Sequence, residues 1–490
     1  MLASIELSPG VYRHGTELDS ANRYRDVNFV RWQNGSLRPI GGWVTRKQSA
    51  FASKPRGAIA WADNSQDSRI VAGTYEKLYT VNAGGTVVDI TPVGFSVGNE
   101  SAQVNTGYGG SLWGTSTYGT TRPSDGVPER CTTWALDTWG QYLLACSSDD
   151  GKIYEWQLNP ANPAALVANA PTQNKGIVVT DERFVFALGA NDNPRRVQWC
   201  DRENNTEWTP LITNQAGDFD LQTAGEIMQG LRVKGKTLIL TTTDAHLANY
   251  AGPPAVYGFL RIGTSCGATS RSSAVSVDEG AFWMGQSAFF LYNGSAVKEM
   301  QCDVTDYVFG DINDSQRSKI CAIHNAAFGE VWWFYPSGDS TENNRYCVYD
   351  YKEGHWNIGQ LARTAGFDAG VFSTPIWFDD NGNIYNHESG LIHDSAPYAE
   401  TGPIMLDVGE RLAKVTKVIP DEKVQGEVTL SFKTRLYPNA AETTHGPFNI
   451  SSPTSVRFQG RQFRMRVDGV NYKDWRVGKM RLNIIEGSKR

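Results

Sequence analysis

Short hairpins recur along this sequence at a nearly constant interval, and an interval of that length admits few folds. Runs of aromatic and β-branched residues closed by Gly, Asn, Ser or Pro occupy Arg69–Val81, Gln141–Trp156, Arg183–Trp199, Lys236–Tyr250, Ala281–Asn293 and Thr374–Tyr385. The fullest example is Gly329–Leu361, where Val331–Tyr335 and Arg345–Tyr351 read as strands around a polar turn. From Gln141 onward the hairpins start 42, 53, 45, 48 and 45 residues apart. The step before them, from Arg69, is 72 residues and comes into line once an insertion at 92–130 is set aside. A period of about 45 residues without helical periodicity is what four-stranded propeller blades produce. Generic antiparallel sheet also yields hairpins, but without such even spacing. The expected fold is all-β, a β-propeller of six or seven blades.

A further hairpin candidate, Phe29–Arg46, places Asn34 and Gly35 where a tight turn needs positive φ. The insertion at 92–130 is rich in Gly, Ser, Thr and Tyr and lacks the apolar content for a core, so a long mobile loop is expected there. Helical signal is sparse: Asp303–Ile312 suits a turn or two. Beyond Glu400 the texture changes to strict alternation in Val428–Phe432, Phe463–Val467 and Lys479–Ile484. Period two gives one buried and one wet face, which predicts a β-sandwich platform. The expected division is an N-terminal arm over 1–28, a propeller over 29–400 and the platform over 401–490. Whether the arm joins the platform stays open.

At 490 residues the chain exceeds what one core organises, so two or more domains are expected. Its 15 Trp, 20 Tyr, 20 Phe and 49 Gly suit many short strands and tight turns. The net charge of −6 hides an asymmetry: residues 1–60 carry +5, residues 454–490 carry +7, and the span between them carries −18. Two basic ends around an acidic middle predict that the termini share one surface. On the wet face of the platform, Arg464, Arg466, Arg476, Lys479 and Arg481 are either a solvated face or a docking surface for an acidic partner. No apolar window is long enough for a membrane span, and the N-terminus lacks the pattern of a signal peptide. Seven scattered Cys without C-x-x-C spacing predict reduced thiols made in a cytoplasm.

Motifs that would carry chemistry are few. Gly263–Gly267 fits G-x-S-x-G, but the following GATSRSSAVSV is no helix, and a nucleophile elbow needs one. Ser147–Tyr154 resembles the Asp-box turn of propeller sialidases, a structural hairpin in which the Asp bonds backbone amides of its own turn. Asp379–Asn383 lacks the distal Glu of a calcium loop and reads as a β-turn. His324, His355, His387 and His393 show no ligand-like spacing with Cys or carboxylates. No catalytic residues, cofactor or metal ligand set are expected. An enzymatic rival, a propeller glycosidase or lyase acting on bacterial surface polysaccharide, rests on the Asp-box-like turn and the abundant Trp and Tyr. A carbohydrate-binding role would rest on Tyr108, Trp113 and Tyr118, interleaved with Gly in the insertion; the same loop suits contact with a fibre or a neighbouring subunit better.

Several phrases together resemble one viral family: NGSLRPIGGW at 34–43, GEVWWFYP at 329–336, RTAGFDAG at 363–370, IYNHESG at 384–390, GRQFRMRVDG at 460–469 and DWRVGKMRLNIIEGSKR at 474–490. They are similar to the propeller-bearing tail hub, or tail nozzle, proteins of short-tailed bacteriophages, including the packaged-DNA-stabilising or head-completion group. The resemblance spans about residues 25–490 and is stronger as a pattern than at any one position. It implies a hexameric ring below the portal and its adaptor ring in the virion tail. That ring closes the capsid after packaging and forms part of the channel through which double-stranded DNA leaves. It also implies docking of tail fibres, spikes or a needle, with no enzymatic activity, no sequence-specific DNA binding and no membrane anchor.

Overall fold

The computed structural model describes residues 2–46, 50–82, 85–102, 129–405 and 411–487. Seven four-stranded antiparallel sheets form the blades of a β-propeller. Their inner strands are Ala58–Ala62, Trp134–Trp139, Gly176–Val179, Ile227–Val233, Ala274–Val277, Cys321–Asn325 and Ala365–Phe367, and each touches the next until the last returns to the first. The hairpins read from the sequence are the second and third strands of these blades, from Ser68–Gly73 with Leu78–Val81 in blade 1 to Ile376–Phe378 with Ile384–His387 in blade 7.

Blade 7 takes its outer strand from the other end of the chain. Trp43–Thr45 pairs antiparallel with Ile384–His387, setting Trp43 opposite His387, and so ties the last blade to the start of the propeller. The Asn34-Gly35 turn forms as expected, with φ of 52° and 74°. Its strands Val30–Gln33 and Ser36–Pro39, however, make a separate two-stranded sheet outside the blades.

Two further sheets make the platform. One orders Leu2–Ile5, Met480–Glu486, Ala413–Ile419 and Thr454–Gly460. The other orders Ser8–Val11, Arg23–Asn28, Tyr398–Thr401, Gln462–Gly469, Val428–Arg435 and Thr443–Asn449, with Ile404–Met405 added on Gln462–Gly469. Residues from both ends of the chain therefore interleave, with Leu2 opposite Asn483 and Val27 opposite Ala399. Alternation works as the sequence implies: Phe463, Met465 and Val467 face the core while Arg464 and Arg466 face outward. Phe432 stacks on Phe458 at 4.5 Å in the space between the sheets. One apolar cluster runs on from there to Trp333 and Trp356 of blade 6 and Phe289 of blade 5, which fastens platform to propeller. Thr305–Phe309, the α-helix among the described residues, lies in the connection between blades 5 and 6.

Candidate functional site

The inner strands surround an axial tunnel of about 380 Å³. They are narrow-waisted because glycines let neighbouring blades approach: a Cβ on Gly57 would lie 2.6 Å from the Trp134 carbonyl oxygen, and one on Gly230 would lie 2.7 Å from Val178 Cγ1. Charged side chains enter from several blades. Arg232 pairs with Asp137 at 3.0 Å, and the other oxygen of Asp137 accepts the Val179 amide at 2.8 Å. Burial still pushes the Asp137 carboxyl above the usual carboxylate range, against the pull of Arg232. Arg271 donates to the Ile227 carbonyl at 2.8 Å and reaches Glu226 only at 3.5 Å; burial brings this guanidinium down to about 10. Arg56 and Lys319 converge on Glu342 at 2.5 and 2.7 Å. Burial works to raise that carboxyl, but the two cations overcome it and hold it below its ordinary value. The tunnel lining is thus polar, and its arginines are engaged with carboxylates or a backbone carbonyl. The Cys321 thiol on its lining is pushed by burial up to about 12, which makes it a poor nucleophile.

The G-x-S-x-G run borders a second cavity, of about 410 Å³, shared by Asp244, Ser265, Gln286 and Phe290. Ser265 has φ of 55° and no helix follows it. A Cβ on Gly267 would lie 2.0 Å from the Thr242 carbonyl oxygen, so the glycine is set by close packing of two chain segments. In the Asp-box-like turn the Asp does not cap its own turn. Asp150 accepts from the Tyr154 hydroxyl at 2.6 Å and the Ser96 amide at 2.9 Å, while Asp149 serves the Thr132 hydroxyl. Asp379 accepts the amides of Asn381 and Asn383 at 2.9 and 2.7 Å, closing the 379–383 segment as a turn.

The platform arginines fall into two groups. Arg464 reaches Glu17 and Glu400 at 3.4 and 3.3 Å and Glu442 at 2.5 Å. Arg466 pairs with Asp468 at 2.8 Å and lies 3.8 Å over the Tyr398 ring. Arg466 also reaches Glu400 at 3.6 Å, and Lys433 adds a third cation there at 2.8 Å. This face is therefore a neutralised lattice of opposite charges, whose acids come from distant parts of the chain. Arg476, Lys479 and Arg481 sit apart from it. Lys479 meets Glu6 at 2.9 Å with both side chains open to water, Arg476 reaches Asp474 at 3.9 Å, and Arg481 is exposed on the strand that pairs with Leu2–Ile5. Tyr108, Trp113 and Tyr118 lie outside the described residues.

Three of the four histidines singled out above are held inside the protein's own packing. His324 bonds Tyr351 at 3.0 Å and Asp368 at 2.9 Å; His387 stacks on Trp377 at 3.9 Å and accepts from Arg363; His393 meets the Ile40 carbonyl at 3.0 Å. His355 is the fourth, and carboxylates gather near it. Its ring nitrogen and one carboxylate oxygen each of Asp350 and Glu353 lie within 4.8 Å of one another. The signal was present as D-x-x-E-x-H, but only a hairpin turn folds that spacing into one cluster.

No family profile matches the chain, and no curated protein matches it in sequence. Similar solved structures include virginiamycin B lyase from Staphylococcus aureus, at 8% identity and a TM-score of 0.40, over 68% of this chain and 94% of that one. BamB from Moraxella catarrhalis is similar at 10% identity and a TM-score of 0.38, over 80% of this chain and 100% of that one.

Proposed function

We propose that the chain is a structural virion protein of a short-tailed bacteriophage, a subunit of the tail hub or nozzle ring. In this reading six copies close a ring below the portal and adaptor, retain the packaged genome and form part of the DNA exit channel. Loops of the ring dock fibres, spikes or a needle. The observation that carries it is where the family-like phrases fall. NGSLRPIGGW runs from the Asn34-Gly35 turn to the strand that closes blade 7, and GRQFRMRVDG and DWRVGKMRLN build the platform. The other three, GEVWWFYP, RTAGFDAG and IYNHESG, lie in blades 6 and 7, so the phrases fall on the two blades nearest the chain's return and on the platform. Closed rings repeat one interface around an axis, and a rigid block of packed blades suits that role. In this reading the acidic span from 61 to 453, if turned toward the lumen, would repel phosphates and let DNA slide, where a basic lining would hold it in a salt-dependent way.

Negative-stain imaging of the purified chain, alone and mixed with portal and adaptor proteins, tests this reading. Rings or a stacked complex are expected. A chain that stays monomeric and never joins such a complex overturns it. Reversing exposed Lys479 and Arg481 to Glu should block incorporation with the monomer still folded; normal incorporation of that variant removes the docking role of this edge.

A further inference from the structure

The turn that joins Arg345–Asp350 to His355–Gln360 in blade 6 holds two buried titratable groups that no hydrogen bond joins. Asp350 and His355 are each 8% exposed and stand opposite one another in the strand register. Asp350 Oδ1 accepts the Lys352 and Glu353 amides at 2.9 and 2.8 Å, which leaves Oδ2 for another partner. Glu353 Oε1 accepts the Asn34 amide at 2.8 Å, which leaves Oε2. His355 Nδ1 is buried and has no hydrogen-bond partner. Burying a polar atom without a partner costs free energy that a bound ligand would recover.

We propose that Asp350, Glu353 and His355 bind a divalent transition-metal ion, of which Zn²⁺ is the representative. Three donor atoms up to 4.8 Å apart surround a point roughly 2.8 Å from each, so a shift of about 0.7 Å per ligand reaches the ~2.1 Å bonds of zinc. All three side chains must close in, so side-chain rotation of Asp350 and His355 accompanies that of the exposed Glu353. One imidazole with two carboxylates is a nitrogen–oxygen donor set that suits zinc-like ions; calcium wants six to eight oxygens. Water completes the coordination. Burial raises the Asp350 carboxyl and lowers the His355 imidazole, so without an ion both are drawn toward their neutral forms. A bound dication reverses the first effect and uses the second, because it binds carboxylate and neutral imidazole.

The position gives the ion a role. The ligands belong to blade 6, but their neighbours belong to the segment that comes from the platform. A Cβ on Gly10 would lie 2.7 Å from His355 Cβ, the Trp32 ring meets the His355 ring edge-on at 5.7 Å, and Asn34 donates to Glu353. Metal binding would therefore stiffen the joint between the two parts of the molecule.

The test is calorimetric titration of the chelator-treated full chain with ZnCl2, together with thermal unfolding at increasing zinc. One saturable site of micromolar affinity and a Tm that climbs with zinc are expected, with no response to MgCl2. Glu353→Gln, at an exposed position, should weaken binding at least tenfold without changing the zinc-free Tm. Asp350→Asn should do the same if folding is preserved. His14→Ala is the control for surface capture, because His14 lies 3.2 Å from Asp306 and is exposed; it should leave the affinity unchanged. Absence of saturable binding below about 100 μM, or equal affinity in Glu353→Gln, overturns the proposal.

Discussion

Trp332 and Trp333 are neighbours in one strand and belong to different cores. Trp332 packs 5.2 Å from Trp377 of blade 7, and Trp333 packs 4.8 Å from Phe289 of blade 5. Phe334 follows Trp332 toward Trp377, and Tyr335 follows Trp333 into the cluster shared with blade 5 and the platform. Alternation along a strand thus turns four consecutive aromatic residues into mortar for two seams at once. Truncating either Trp to Ala should cost about 3–5 kcal/mol. Double-mutant cycles in denaturant separate the seams: Trp333→Ala should couple to Phe289→Ala by about 0.5 kcal/mol or more and be additive with Trp377→Ala. Equal coupling to both would contradict two separate seams.

Closure of the ring depends on Trp43. It stacks on His387 at 5.4 Å, meets Phe29 and His393 edge-on, and lies under the Arg363 guanidinium. Trp43→Ala should loosen blade 7 before any other blade. Hydrogen exchange followed by mass spectrometry should show amides of Ile376–Phe378 and Ile384–His387 losing protection first. Uniform loss across all blades would mean that the closing strand is not the weak point.

On the outer face of the platform, Glu400 is nearly buried and serves Lys433, Arg464 and Arg466. Arg464→Glu would set a new carboxylate against Glu17, Glu400 and Glu442, so it should destabilise the fold by a few kcal/mol. A drop in Tm of the isolated chain checks this. An unchanged Tm would contradict a structural role for these ion pairs.

What was legible in the sequence was whatever is buried and periodic. The second and third strands of each blade are lined by the core and end in Gly or Asn turns, so they stood out. Outer strands such as Ala165–Leu166 and Val297–Glu299 are two or three residues long and exposed, and carry no pattern. The closing strand Trp43–Thr45 was absorbed into a hairpin, because pairing across 340 residues leaves no local mark. The same limit hid the partners of Arg464: alternation identified its outward face, but Glu17, Glu400 and Glu442 come from three separate segments. Asp350 and His355 were close in sequence, yet only the turn joins them.

Acid should weaken the fold from about pH 6.5 downward. Burial lowers His246, His355, His387 and His393, most strongly His387, which also faces Arg363. As pH falls through the ordinary histidine range near 6.5, the unfolded chain takes up protons that the folded chain refuses, so stability declines. Buried carboxyls with raised pKa, among them Asp137 and Glu330, oppose this at lower pH by binding protons in the folded state. Urea midpoints should therefore fall between pH 7.5 and 5.5; a flat or rising midpoint would refute neutral buried imidazoles.

Thiol chemistry should report folding. Burial pushes Cys146, Cys200, Cys302 and Cys321 up to about 12 and Cys266 up to about 11. At pH 8 an alkylating reagent should leave these five unmodified in the native chain and label all seven cysteines in denaturant. Native labelling of Cys146 or Cys321 would show that the blades open.

The pairing of Leu2–Ile5 with Met480–Glu486 has a consequence for synthesis. Blades can condense one after another as they leave the ribosome, but Leu2–Ile5 must wait until Met480–Glu486 has been made. The platform is then finished only in a chain translated through Glu486. A chain cut short of Met480 would keep its ring of blades but leave Leu2–Ile5 and Ala413–Ile419 without the strand between them.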